Sequence, residues 1–257
     1  MMTAEKMETV IVLAAGLGSR LEHNTDDKPK SLVEVNGTPM LYRLLAQLAE
    51  CNISEIVIVV GYLAEILQNF VSKNFPDLNV RFVQNKEYAK TGSVYSLKLA
   101  LDAISQGSTV IVEADVVFKH GLVQHFIEAA RNSKKSTTML ARYRYDLSGT
   151  FALVSEGTIS SWDHESVRQD DYPLERSLKT VNVSYLQPGH DIVLLKEAIN
   201  TVCNDQGLNS PLEYAMQLSI SNGLEFTPSY VENGQWYEID SPNDLEYANR
   251  LFLELES

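Results

Sequence analysis

Arg20, Lys28 and Lys30 follow a run of small residues in the stretch Val10–Lys30, VIVLAAGLGSRLEHNTDDKPK. After Leu13, the residues Ala14, Ala15, Gly16, Gly18 and Ser19 carry little side-chain bulk, so a ligand can approach the backbone closely. Successive N–H groups in such a turn cradle phosphate oxygens. Arg20 adds a bidentate fork, and Lys28 and Lys30 add point charges on flexible stems. A nucleoside triphosphate lying across this loop accounts for the combination. A plain strand-to-helix turn would account for the glycines alone. Two other phosphate motifs are excluded: Leu21 stands where a dinucleotide fingerprint needs its third glycine, and no Gly-Lys-Ser/Thr ending completes a Walker loop.

Two carboxylates are the next candidates. Asp115 follows the apolar run Val110–Val112, and Asp240 follows Trp236–Ile239. Carboxylates at strand ends that converge on one site are hard oxygen ligands suited to Mg2+ beside a triphosphate. Each could instead cap the segment after it, Asp240 above all, because Ser241 opens a helix. Glu113 and Glu238 stand two residues before their neighbours and share their strand faces. Tyr88, Trp162, Tyr185, Trp236 and Tyr237 supply aromatic surface; with carboxylates nearby it suits a cationic amine, although most such aromatics are core. The histidines show no metal-ligand spacing, and no Ser-His-Asp order or activated cysteine is visible.

LAAGLGSRL followed by KPKSLVEVNGTPML resembles the nucleotidyltransferases that join a nucleoside triphosphate to a phosphorylated sugar or small alcohol. KTVN, Lys179–Asn182, is similar to a stretch in cytidylyltransferases acting on choline phosphate or aminoethylphosphonate. The resemblance runs through most of the chain, best at 9–62, 107–118, 179–183 and 236–251, and is weak between about 132 and 176. It implies an α/β, Rossmann-like nucleotidyltransferase fold, with a mixed, mostly parallel central sheet and helices on both faces. It also implies roles. Leu13 to Ser19 hold the triphosphate, with Gly61 nearby, and Gln84, Asn85 and Ser93 lie where the base is read. Arg20 and Lys30 contact phosphates, and Lys179 faces the acceptor's phosphorus group. Asp115 and Asp240 hold Mg2+. Asn182 helps fix the acceptor. By residue type and strand alternation, Trp162, Tyr185, Trp236 and Glu238 are expected around the acceptor as well.

These residues need elements to position them. Val10–Leu13 reads as a buried strand, and Ile56–Val60 as a second, closed by Gly61-Tyr62. Between them Thr38 reads as an N-cap and Pro39 as the first helical residue before Met40, Leu41, Leu44, Leu45 and Leu48. A helix over 63–73, a strand over 79–84, a polar segment Gln84–Ser93, a helix carrying Leu97, Leu101 and Ile104, and a strand Thr109–Val112 follow. Alternating strands and helices imply parallel strands with right-handed crossovers, and ligands gather at the carboxyl ends of such strands. Arg20, Gly61, Asn85 and Asp115 would lie there. From about 136 the reading is strands Thr137–Tyr143, Phe151–Val154, Thr158–Trp162 and Thr180–Leu186, with the charged, aperiodic Asp163–Arg176 as a loop or lid. Helices near 190–202 and 210–221 precede a strand Trp236–Asp240 and a final helix through Leu253, capped by Ser241 with Pro242 and Asp244 in its first turn.

The 257 residues, 44% hydrophobic, suffice for one large core, and no linker divides them. One domain is expected, with a nucleotide-binding half to about 132 and an acceptor-binding half from 133. A net charge of −13 argues against general binding to nucleic acid or anionic membrane. No run is long enough to insert in a membrane, no cleavable leader is visible, and Cys51 and Cys203 fit no disulfide or metal pattern, so the chain reads as cytoplasmic. The oligomeric state stays open, a homodimer included. The reading is a Mg2+-dependent cytidylyltransferase joining CTP to phosphocholine, phosphoethanolamine or 2-aminoethylphosphonate. A sugar-1-phosphate nucleotidyltransferase using UTP, GTP or dTTP stays open, as does a non-catalytic nucleotide-binding regulatory module.

Overall fold

A computed structural model describes residues 8–105 and 107–256. In chain order its first half contains β1 (Glu8–Ala14), β2 (Glu34–Val35), β3 (Thr38–Pro39), α1 (Met40–Ala49), β4 (Glu55–Val60), α2 (Ala64–Asn74), β5 (Val80–Gln84), α3 (Ser93–Ala103), β6 (Ser108–Glu113), β7 (Val116–Phe118) and α4 (Leu122–Arg131). Its second half contains β8 (Ser136–Arg142), β9 (Phe151–Ser155), β10 (Thr158–Asp163), β11 (Leu178–Leu186), α5 (His190–Asp205), α6 (Leu212–Ser221), β12 (Phe226–Val231), β13 (Trp236–Glu238) and α7 (Pro242–Glu256).

The fold is α/β, with a mixed, mostly parallel central sheet. β1 lies between β4 and β6, parallel to both, and β5 extends the parallel set beside β4. β11 joins the halves: it runs antiparallel to β6 at Val183–Leu186 and to β9 at Leu178–Lys179, and it also pairs with β8. β1 shows why the central strands read as continuous apolar runs. Val10 and Val12 pack on one face with Leu41, Leu44 and Leu48 of α1 and Phe126 and Ile127 of α4. Ile11 and Leu13 pack on the other with Leu97 of α3, Leu195 and Ile199 of α5 and Met216 of α6. Helices cover both faces, so both alternating sets must be apolar. Each such side chain stabilises the fold by roughly 1.5–3 kcal/mol relative to exposure. Cys51 and Cys203 are buried free thiols in these two separate cores. Among the described residues no helix is long and apolar enough to cross a membrane.

A third, smaller core joins Leu21 and Val33 of the signature segment to Val117 of β7, Tyr237 and Ile239 around β13, and Ala248 and Phe252 of α7. It brings the C-terminal segment against the glycine-rich loop.

The structure differs from the sequence reading in a few elements. Thr38-Pro39 is not a helix cap: it forms β3, paired antiparallel with β2, and the helix begins at Met40. The strand expected over Trp236–Asp240 stops at Glu238, where its pairing with β7 ends. Helix α4 and strand β12 are additions to that reading. The segment after β10 consists of turns, with a short 3-10 turn at Leu174–Arg176.

Candidate active site

β1 ends at Ala14, and the chain then passes through Gly16 and Gly18 into a 3-10 segment, Ser19–Thr25. Gly18 is the position that demands glycine. Its φ is 66°, and a Cβ there would lie 2.8 Å from Cβ of Lys30. A side chain would thus both strain the turn and push Lys30 away. Gly61 is required for packing: a Cβ would stand 2.5 Å from the carbonyl oxygen of Ala15 and 2.7 Å from Cβ of Tyr88. The Tyr62 N–H then donates to that Ala15 oxygen at 3.2 Å, and its hydroxyl reaches the Thr25 carbonyl at 3.1 Å, bracing the loop from β4.

Lys30 begins a 3-10 turn, Lys30–Leu32, directly after Pro29. Its ammonium donates to Oδ2 of Asp115 at 2.7 Å and to Oδ1 of Asp240 at 2.6 Å. Arg20, 71% exposed, reaches the same Oδ1 of Asp240 at 2.8 Å. The two carboxylates are tied through the backbone as well: the Ile239 N–H donates to the Asp115 carbonyl at 2.9 Å, and the Ala114 N–H to Leu13 at 3.1 Å. Burial alone would lower the Lys30 pKa, but Asp115 and Asp240 outweigh it and hold the ammonium charged well above its ordinary value. Burial likewise works to raise Asp240, and Lys30 and Arg20 overcome it and hold the carboxyl below its ordinary range.

A second ion pair lies beside the first. Lys179 is 2% exposed and donates to Oε2 of Glu238 at 2.9 Å and to the Thr180 carbonyl at 3.1 Å. Asn182 Nδ2 donates to the other oxygen, Oε1, at 3.0 Å. Asn182 can reach it because β11 is irregular between Thr180 and Ser184 and Asn182 has φ 57°. Burial pushes the Glu238 carboxyl up; Lys179 opposes this, and Asp115 and Asp240 add to it. Glu113 is raised by burial and then by Glu213, Asp115 and Glu238 around it.

The cleft has a volume of about 440 Å3, walled by Leu13–Arg20 on one side and by Asn85, Tyr88 and Gly92–Ser93 on the other, with Lys30, Glu113, Asp115 and Asp240 at its floor. A side cavity of about 260 Å3 shares Arg20 and Asp240 with it and contains Lys179 and Glu238. Phosphate-sized anions, cations to meet them and hard oxygen donors therefore share one space.

A family model for the MobA-like NTP transferase domain matches residues 10–171, which holds the whole glycine loop, Lys30 and Asp115. The chain belongs to the MobA-like NTP transferase family. This NTP transferase is 27% identical to a CMP-5'-(3-aminopropyl)phosphonate synthase of Streptomyces rubellomurinus, over 94% of this chain and 38% of that protein. It is 29% identical to a 2-aminoethylphosphonate cytidylyltransferase of Lancefieldella rimae, over 89% of this chain and 95% of that one. In fold it is similar to the solved CTP:phosphocholine cytidylyltransferase of Streptococcus pneumoniae, with a TM-score of 0.78, 24% identity, and 96% and 99% of the two chains covered.

In this NTP transferase Leu13, Ala14, Ala15, Gly16, Gly18, Ser19, Arg20, Lys30, Asn85, Ser93, Asp115 and Asp240 all border the one cleft. Several other sequence candidates are placed differently. Gln84 is exposed and lies outside the cleft. Asn85 borders the cleft, but its amide is used inside the loop: it donates to Thr91 at 2.9 Å and Ser96 at 3.1 Å and accepts from the Glu87 N–H at 3.0 Å. Ser93 Oγ accepts from the Leu212 N–H at 2.8 Å. Tyr185 and Trp236 do not come to the cleft. Both are 3% exposed in the core covered by α1 and α4, because β11 and β13 turn those positions toward that face. Trp162 and Asn182 border a separate small cavity with Glu113 and Glu213. Glu213 lies in the first turn of α6, and no local sequence signal marks it.

Proposed function

We propose that this chain transfers CMP from CTP to a small phospho- or phosphono-alcohol amine and releases pyrophosphate. The observation that carries the reading is the meeting of Lys30, Asp115 and Asp240 at the floor of the cleft walled by the glycine loop. The names of the two relatives supply cytidylyl transfer and the phosphonate acceptor. The sheet that runs through β11 supports treating both halves as one catalytic unit.

The chemistry then follows from positioning and charge. Backbone N–H groups of the loop receive the triphosphate. An oxygen of the acceptor's phosphate or phosphonate attacks the α-phosphorus in line; the new P–O bond forms as the bond to the β-phosphate oxygen breaks, and the pair leaves with pyrophosphate. Arg20 and Lys30 meet the charge that builds on that leaving group. Lys179, fixed by Glu238, directs the incoming anionic group from the side cavity. No enzyme nucleophile takes part.

The residues present fit a divalent metal. Asp115 Oδ1 is buried and has no hydrogen-bond partner, and two carboxylates converge on one cation. Mg2+ is commonly held by one or two carboxylates together with substrate phosphates, as these two could hold it. Asp115 and Asp240 would hold it, and it would neutralise and orient the α-phosphate. The test is pyrophosphate release with CTP, UTP, GTP and dTTP against phosphocholine, phosphoethanolamine, 2-aminoethylphosphonate and glucose 1-phosphate. Release with CTP and an amine acceptor is expected. Preference for a sugar phosphate with another nucleotide would overturn the acceptor and the base. Nucleotide binding without release under any pairing would make the chain a binding module.

A further inference from the structure

A small cavity of about 20 Å3 adjoins the main cleft at Glu113, whose side chain borders both. That volume admits about one water-sized group, since a water needs roughly 10–15 Å3 in the same measure. Glu113, Glu213, Asn182 and Ser184 give it polar lining, and Trp162, Leu212 and Met216 apolar lining. The Glu113 carboxylate accepts no hydrogen bond from any described residue. Glu213 accepts one weak bond, from Thr150 at 3.3 Å. Trp162 is 5% exposed, and its Nε1–H is buried without an acceptor. Leu212 and Met216, 6% and 2% exposed, also line it. The Trp162 ring packs 5.7 Å from that of Phe226, and the residue's backbone N–H donates to Gln217 Oε1 at 2.6 Å, which anchors the strand that carries it.

We propose that this cavity makes the enzyme selective for primary-amine acceptors over quaternary ammonium ones, with the –NH3+ group received between Glu113 and Glu213. The inference rests on the cytidylyltransferase reading above and narrows its acceptor class. An ammonium group is the size of a water and carries three N–H donors, which two carboxylates can accept as charge-assisted bonds. A trimethylammonium group has no donor and three methyls, so it exceeds the cavity and leaves the carboxylates unmet. Size and hydrogen-bond donors distinguish the two cations. A site built to hydrogen-bond an N–H rejects an analogue lacking it far more strongly than an apolar pocket rejects a missing methylene.

The test compares phosphoethanolamine with phosphocholine, which differ only by three N-methyl groups, as acceptors for CTP. A kcat/KM at least ~100-fold higher for phosphoethanolamine is expected. Glu213→Gln should raise the phosphoethanolamine KM about tenfold or more. Met216→Ala, which deepens the cavity, should narrow the gap by at least about fivefold. Leu212→Val provides a milder enlargement in case the alanine variant does not fold, which circular dichroism will show. Phosphocholine turning over as well as phosphoethanolamine, or a gap unchanged in a folded enlarged variant, would overturn the proposal. Silence of every acceptor with CTP would instead defeat the transferase reading; calorimetric binding of the two acceptors would then still decide the cavity, with equal affinities counting against it.

Discussion

Lys30's ammonium lies between Asp115 and Asp240 at 2.7 and 2.6 Å. On the metal reading proposed above, the two carboxylates would receive a divalent cation as Lys30 turns to phosphates. Metal and triphosphate should therefore enter together. Replacing Lys30 by Met removes the competitor, so Mn2+ binding without nucleotide, followed by electron paramagnetic resonance, should tighten about tenfold, the factor equivalent to ~1.4 kcal/mol. Equal Mn2+ affinity in wild type and Lys30→Met would refute this exchange. Asp115→Asn and Asp240→Asn should fold and lose on the order of 100-fold in turnover. Wild-type rates in either folded variant at saturating Mg2+ would remove that residue from the site. Asp240 also links the site to acid stability. A carboxyl depressed in the fold contributes stability that is present above its ordinary value and lost as pH falls through the depressed one. The stability deficit of Asp240→Asn, measured by urea unfolding, should thus be full at neutral pH and shrink below pH 3.8.

At the scale of elements, the start of α7 fixes Asp240. Ser241 and Asp244 form a reciprocal capping box: the Ser241 N–H donates to Asp244 Oδ2 at 2.8 Å, and the Asp244 N–H donates to Ser241 Oγ at 3.3 Å. The same Asp244 oxygen accepts the Asp240 N–H at 3.2 Å. The cap therefore sets both the helix and the carboxylate before it. Asp244→Ala should cost about 1 kcal/mol in stability and should also weaken Mn2+ binding in the presence of CTP. Destabilisation without any change in metal affinity would mean that β13 and Ile239 hold Asp240 unaided.

Across the whole molecule, β11 carries both halves. It contributes Lys179 and Asn182 at its bulge while its other end pairs with β6, the strand that leads to Asp115. Separate unfolding of the halves would expose β6 along its length, so one cooperative transition is expected. Trp162 and Trp236 report the two cores on opposite faces of the sheet. Variants retaining one tryptophan each, Trp162→Phe and Trp236→Phe, should show unfolding curves by fluorescence that coincide with far-ultraviolet circular dichroism in the same variant. A fluorescence midpoint distinct from the dichroism midpoint would divide the chain into separately folding units.

Local features carried far. The run Val10–Leu13, the small residues after it and the cations Arg20 and Lys30 lie in one contiguous motif, so strand, turn and cleft wall are legible together. The strand-end positions of Asp115 and Asp240 are legible too, because apolar runs stop just before them. β12 is hidden by Pro228, which argues against a strand; β12 pairs with β8 alone, and an unpaired edge tolerates a residue with no N–H to give. Helix α4 is visible as spacing, with Val123, Phe126, Ile127 and Ala130 buried on one side. Alternation could not decide whether Tyr185 and Trp236 face ligand or core, because helices cover both faces of the sheet and either side of a strand reads apolar. The meeting of Lys30 with partners 85 and 210 residues away, and of Glu113 with Glu213, belongs to tertiary structure alone. Periodicity records which face of an element is buried; which distant side chains share a space, and how much space is left between them, depends on how the packed layers close.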